Sequence, residues 1–355
     1  MLKKIALLSL TLFSTLYGTA QTQVVTGVMN GKDYGVTYTL PKTALKVGIT
    51  ATRTTYKPGE FAQYANRYLH LNNVQQTSSE TWKLDVVKLN LIGIPDAEKV
   101  FFVKLKDKPV APNIELTNTG VIKAINLPFK TVAPTPATAT TAADKVEVDP
   151  KRFFTEEILM ANSTAKIAEL VAKEIYAIRE SRNALLRGET EDTKIDGEFV
   201  KVMLQNMDEQ ESALLSLFTG RVESDVVVKN IEIETMSEFT NSIIARFSTK
   251  LGILDADDLA GEPILFNLKD LETIKLADDG GKSKKKLEGI AYNLPGRGYA
   301  EIVYNGKVIS KGEFPITQFG TLEFLAPTLF NKKSTIQVLF DSSTGGLSKV
   351  NQDAQ

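Results

Sequence analysis

Residues 163–189 read STAKIAELVAKEIYAIRESRNALLRGE, and the spacing within them decides the fold. Ile167, Val171, Ile175, Ile178, Arg182 and Leu185 follow one another at steps of four, four, three, four and three. Such steps bring side chains onto one face of an α-helix. Glu169 and Lys173 lie four apart on the outer face, in the favourable acid-before-base order. Gly188 is placed to end the helix with a left-handed residue. A polar run, ETEDTKI, leads to Asp196, which reads as the N-cap of a second helix. There Phe199, Met203, Met207, Leu214 and Phe218 repeat the stripe, and Gly220 stops it. The pattern predicts a helical hairpin over 153–219, with a first helix on the order of 50 Å long at 1.5 Å per residue. A lone hairpin of this kind is marginal in water, so its stripe needs a sheet or another chain to cover it. Ile167, Val171, Ile175 and Ile178 are therefore the candidate partner-binding residues.

On both sides of the hairpin the period changes from helical to alternating. Leu45, Val47, Ile49 and Ala51 alternate with Lys46, Gly48 and Thr50, the mark of a half-buried strand. Pro58 can open a short helix carrying Phe61, Ala62, Tyr64, Ala65, Tyr68 and Leu69 at helical spacing. Residues 81–92 and 99–105 read as two strands with Asp96 capping a turn between them. After the hairpin, Val226–Ile233, part of Ile264–Leu276, and Thr335–Phe340 read as strands. Tyr299–Tyr304, Asn305-Gly306 and Lys307–Lys311 predict a hairpin closed by a type I′ turn. A further turn spans Asp341–Gly346. The expected class is α+β, with two β-rich regions flanking a long antiparallel helical hairpin. The expected parts are a leader (1–20), an N-terminal β-rich domain (21–130), a linker (131–150), the helical hairpin (151–222) and a C-terminal β-rich domain (223–355). The linker rests on TVAPTPATATTAA (131–143), in which twelve of thirteen residues are Thr, Ala or Pro. That composition offers little apolar surface to offset the entropy of ordering.

The first residues carry a positive start at Lys3 and Lys4, an apolar run from Ile5 to Leu16, and small residues at Gly18 and Ala20. This is the layout of a cleavable secretory signal, with the expected cut after Ala20. The apolar run is shorter than the ~20 residues a spanning helix needs. No cysteine stands at the cut, so a lipoprotein anchor is not expected, and the location read from the leader is periplasmic or cell-surface. Without Lys3 and Lys4 the 42 basic residues fall to 40 against 43 acidic ones. That balance recruits neither nucleic acid nor an anionic membrane. The chain has no cysteine and one histidine, His70. Disulfides, thiol nucleophiles, Cys-based zinc sites and multi-histidine metal sites are thereby excluded. A Ser-His-Asp triad would have to use His70.

The motifs that suggest chemistry are incomplete. Gly280-Gly281-Lys282-Ser283 resembles the end of a phosphate loop, but Leu276 stands where its first glycine belongs. Asp255, Asp257 and Asp258 suggest a calcium loop and are the candidate metal ligands. Leu259, Ala260 and Phe266 break the EF-hand pattern, which leaves a capped turn or a calcium site built partly from carbonyls. No other cofactor is expected. Ser163–Lys166 and Ser283–Lys286 match a serine-x-x-lysine pair, with neither companion motif of the penicillin-recognising enzymes present. Paired carboxylates remain possible, since glycoside hydrolysis needs only two of them. Tyr56, Phe61, Tyr64 and Tyr68 form the candidate ligand-binding patch, because exposed aromatics stack on sugar rings.

Several segments carry a resemblance to a known family. They are the hairpin strand of sequence at 163–189, DEQESALLSLFTG (208–220), RFSTKLGILDADDLAGEP (246–263), YKPGEFAQYANRYL (56–69), QFG (318–320) and STGGL (343–347). The chain resembles a family of exported Gram-negative bacterial proteins known as domain of unknown function 4831. The resemblance implies an exported protein with one helical hairpin between β-rich parts, and it assigns no activity. In that family glycine often follows the position of Leu69, where this chain has His70. The expected function is non-enzymatic binding or assembly through the hairpin, with an envelope protein or a second copy as partner. The alternative is a carboxylate-dependent glycan-acting enzyme or a sugar-binding module.

Overall fold

The computed structural model describes residues 28–30, 33–104, 114–126, 148–189, 197–274, 289–325 and 336–352. The leader, the Thr/Ala/Pro-rich linker, Asp196 and the Gly280–Lys286 loop lie outside the described residues. In chain order the elements are β1 (Val28–Asn30), β2 (Asp33–Lys57), α1 (Ala65–Leu69), β3 (Ser79–Lys104), β4 (Ile114–Leu116) and β5 (Ile122–Ile125). The helices α2 (Glu156–Leu159), α3 (Thr164–Arg187) and α4 (Gly197–Thr219) follow. Then come β6 (Arg221–Glu234), β7 (Phe239–Ser248), β8 (Gly252–Leu254), β9 (Glu262–Asp270), β10 (Ile290–Tyr304), β11 (Lys307–Leu325), β12 (Ile336–Phe340) and β13 (Leu347–Gln352). The class is α+β, as the two periodicities require.

The alternating run at 45–51 lies on the spine of the molecule. Leu45, Val47, Ile49 and Ala51 are fully buried, and the residues between them stay partly exposed. They belong to β2, which pairs antiparallel with β3 along one edge and with β1 and β6 along the other. A second antiparallel sheet has the order β11-β10-β9-β7-β8, and a third β13-β12-β5-β4. The first two sheets face each other across a core of Leu45, Val47 and Ile49 against Phe247, Ile264, Phe266 and Ile302. A separate core joins Tyr38 and Leu40 of β2 to the third sheet and to Ile290 and Leu325. Fully burying side chains of this size contributes roughly 1.5–3 kcal/mol each.

This arrangement corrects the expected domain division. β6 comes from the C-terminal region and pairs with β2 from the N-terminal one; β12 pairs with β5 in the same way. The stretches 21–130 and 223–355 therefore share sheets and cores. Alternation reports which face of a strand is buried and says nothing about which strand lies beside it, so the sequence divided what the sheets unite.

The Asn305-Gly306 turn is as read: both residues have positive φ, 49° and 71°, and β10 and β11 run away from it as a hairpin. Residues 79–104 form one strand instead of two. Asp96 accepts the backbone N–H of Glu98, but β2 continues opposite, and the register jumps from Pro41–Pro95 to Thr39–Val100. The expected turn is a bulge within β3.

The first hairpin helix is also shorter than expected. Thr155 accepts the N–H of Ile158 and starts α2; Ser163 accepts the N–H of Lys166 and starts α3. Each cap begins a new helix, so the 153–187 run breaks at Met160–Ser163. At 24 residues, α3 is about 36 Å long. Gly188 ends it with φ 71°, and Glu169 pairs with both Lys166 and Lys173. Among the described residues no helix is long and apolar enough to cross a membrane.

Candidate functional site

The hairpin stripe is spent inside the chain. Val171 and Ile175 are fully buried, Ile178 nearly so, and Ile167 is half-buried against the same cluster. Their partners are Leu214 and Phe218 of α4, Phe61, and Ala65 and Leu69 of α1. The expectation that these four residues meet a partner is corrected: the segment around α1 supplies the cover that the periodicity demanded. On the same helix pair, Arg179 Nε donates to Glu211 Oε1 at 2.7 Å, and Arg182 reaches Glu211 and Asp208 at 2.5 and 2.6 Å. Burial pushes the Glu211 carboxyl up, but the two guanidiniums outweigh it and hold the group below the usual carboxylate range. This clamp fixes α3 to α4.

The aromatic patch does not assemble as a platform. Phe61 is buried, with its ring 5.6 Å from that of Phe218. Tyr56 sits on β2, and its hydroxyl donates to the carbonyls of Gln75 and Thr219. Only Tyr64 and Tyr68 lie together, half-buried, their rings 6.0 Å apart. His70 is exposed and caps α1: its φ is 54°, its N–H donates to Asn66 O, and the N–H of Leu71 donates to Ala65 O. This is the left-handed C-cap that normally takes glycine.

The aspartates 255, 257 and 258 do not converge. Asp255 is paired with Lys229 at 2.6 Å, and Asp258 accepts the N–H of Ala260. Among the described residues no group of three or more His, Asp or Glu is placed to hold a metal. The capped-turn reading fits this loop.

A cleft that periodicity did not single out lies on the outer face of the second sheet. β7 is bulged between Phe239 and Ser242, and Asn241 there takes φ 50°. The bulge opens an exposed hollow of about 530 Å³ lined by Glu238, Asn241, Asn267, Lys269, Tyr299 and Glu301. Asn267 accepts the N–H of Asn241 and donates to Glu301 Oε1 at 3.1 Å; Glu238 Oε1 accepts the N–H of Asp270. Two carboxylates, two amides, an ammonium and a phenol share one open space with the apolar Phe239 and Leu268, a mixture that suits a ligand with hydroxyls on one side and a ring face on the other. The available signal was the outward parity of Tyr299 and Glu301 on the arm of the Asn-Gly hairpin. Glu238 and Asn241 gave none, since a bulge has no period.

The segments that carried the resemblance land elsewhere, at joints. Phe61 N donates to Leu217 O at 2.7 Å, so YKPGEF docks on the end of α4. Gly220 has φ 73°, and a Cβ there would lie 2.3 Å from Lys57 O, so only glycine closes that joint. Around QFG, Thr43 and Thr317 exchange hydrogen bonds of 3.0 Å, backbone N–H to side-chain hydroxyl in both directions, and Gln318 Nε2 donates to Thr43 O. Thr235 Oγ1 donates to the same carbonyl. These buried groups fasten β2 to β11 across the sandwich. Beside them, Asn293 Nδ2 donates to Pro41 O and to Thr344 O of STGGL at 2.8 and 2.7 Å. In RFSTKLG, Thr249 O accepts the N–H of Trp82, and Arg246 holds the carbonyls of Ala256 and Gly261.

No curated protein and no solved structure matches the chain. One family model does, over residues 34–348, and it spans every sheet, the helical pair, the joints and the cleft. The chain belongs to the family described as Domain of unknown function (DUF4831).

Proposed function

We propose that the protein is an exported, non-catalytic binding or assembly component of the cell envelope. The observation that supports this reading is the use made of the family-like segments. YKPGEF, DEQES, QFG, STGGL and RFSTKLG join elements to one another, and none lines the open cleft. One surface open to a partner is the far part of the hairpin. The buried cluster reaches along α3 to Ile178 and along α4 from Met207. Past it, Leu186, Phe199 and Val202 are 64%, 58% and 52% exposed. Assembly through the hairpin then uses its end, leaving the stripe to the chain's own core. The test is cross-linking in envelope fractions, comparing the native chain with a Leu186→Asp/Phe199→Asp double variant that keeps the native circular dichroism. Loss of a defined adduct in the variant supports the reading. Identical adducts from both chains, or none from either, argue against it.

The cleft favours a second reading, a sugar-binding module. Glu238 and Glu301 beside Tyr299 and Phe239 give a hollow with carboxylates next to aromatic rings. Titration with glycan fragments, repeated with Glu301→Gln, tests it; binding that is absent, or unchanged in the variant, removes it.

A further inference from the structure

We infer that β6 is the interface between two copies of this chain, joined edge to edge by antiparallel pairing. Sheet edges offer unpaired backbone groups, and monomeric proteins blunt them by shortness, proline, bulges or charge. Among the described residues the other edges are blunted. β1, β4 and β8 have three residues each, and β13 has six with Lys349 among them. β3 carries Pro95 and the Asp96 bulge, and β11 carries Pro315 and two register shifts in its pairing. β6 differs. It runs for 14 residues in unbroken register with β2, holds neither proline nor glycine, keeps its charges on either side of an uncharged Val226–Val228 centre, and pairs with no other described strand. Val226 and Val228 at its middle are 66% and 55% exposed, and Val227 is 37% exposed.

The sequence of β6 also selects the occupant. When two copies pair about a two-fold axis perpendicular to the sheet, inner faces stay on one side, so each residue meets one of its own parity. With the axis at Val227, Val226 meets Val228 of the second copy, Val227 meets itself, and Asp225 meets Lys229 on both sides. Moving the axis to Val226 sets Asp225 opposite a valine; moving it to Val228 does the same to Lys229. Only the central register keeps three valine contacts between two opposite-charge pairs. Asp225 already pairs with Arg53 at 2.7 Å, and Lys229 with Asp255 at 2.6 Å. The junction therefore forms an alternating row: Arg53, Asp225, then Lys229 and Asp255 of the second copy. Pairing turns the four-stranded first sheet into one of eight strands. This interface is separate from the hairpin end, and either can exist without the other.

The absence of cysteine makes the test clean. Val227→Cys places two thiols opposite each other, with Cα atoms about 4.5–5.5 Å apart, within disulfide reach. Asn230→Cys puts the two copies of the residue roughly 20 Å apart, six residues along the strand. The expected results are a concentration-dependent dimer by sedimentation, a covalent dimer from Val227→Cys on mild oxidation, and a thiol monomer from Asn230→Cys. Val226→Lys with Val228→Lys, both on the exposed outer face, should abolish the dimer and leave the circular dichroism unchanged. A chain that stays monomeric at millimolar concentration overturns the inference. So does cross-linking of Asn230→Cys as ready as that of Val227→Cys, or a dimer that survives the double lysine variant.

Discussion

At the scale of single residues, the informative one is His70. A lone histidine invites a catalytic reading, yet its backbone does the work here, turning the chain left-handed at the end of α1. An L side chain in that conformation costs roughly 1–2 kcal/mol relative to glycine. His70→Gly should therefore raise stability by about 1 kcal/mol, read as a higher denaturation midpoint in urea at constant m-value. A fall in stability would show that the imidazole makes a contact worth more than the strain. Residue-level cues of this kind were legible wherever backbone chemistry is local: Gly188, Gly220 and Asn305-Gly306 all turn as their identities require. The joint made by Thr43, Thr235, Thr317 and Gln318 was not legible. Threonine and glutamine are ordinary surface residues until distant strands bury them together.

At the scale of elements, the hairpin was read from its period, and its cover was not. Spacing fixes which side of a helix is apolar, and it cannot tell α1 from another molecule as the surface that lies on it. Arg182 sat in the stripe as a charged exception; with Arg179 it clamps Glu211 between the helices. This clamp has a pH signature. The Glu211 carboxyl is depressed in the folded state, so its contribution is complete above its unfolded value of about 4.3 and is lost as pH falls through the folded value. Glu211→Gln should cost about 2 kcal/mol at neutral pH, in line with hydrogen bonds to charged groups. The gap between the two proteins should narrow below about pH 4. Urea titrations at pH 7, 5 and 3 measure this, and a gap that is constant across the series would mean that the ion pairs contribute nothing. Asp341 acts in the same direction: burial raises its carboxyl, and bonds from Ser343 and Thr344 bring it below the usual range.

At the scale of the whole molecule, strand content was legible and strand partnership was not. Two β-rich stretches on either side of a helical pair look like two domains, yet β2 takes part in the first sandwich core and in the core of the third sheet. Residues 21–126 made alone lack β6 and β12, so they should show no cooperative unfolding transition; mixing with 148–355 should restore one. A sharp transition from the short piece alone would return the two-domain division. The candidate cleft shares this illegibility, because its lining comes from three strands and a bulge that meet only after the second sheet has formed. The same threading sets an order in time. Thr43 is bonded to a residue 274 positions later in the chain. Contacts that distant make folding slow, in the millisecond-to-second range for β-rich topologies. β2 is thus made before the strands it pairs and packs with and is among the last to be completed. Until β7, β9 and β10 have been made, its central valine, leucine and isoleucine run has no native face to rest on, and the nascent chain depends on whatever keeps that strand from meeting another like it.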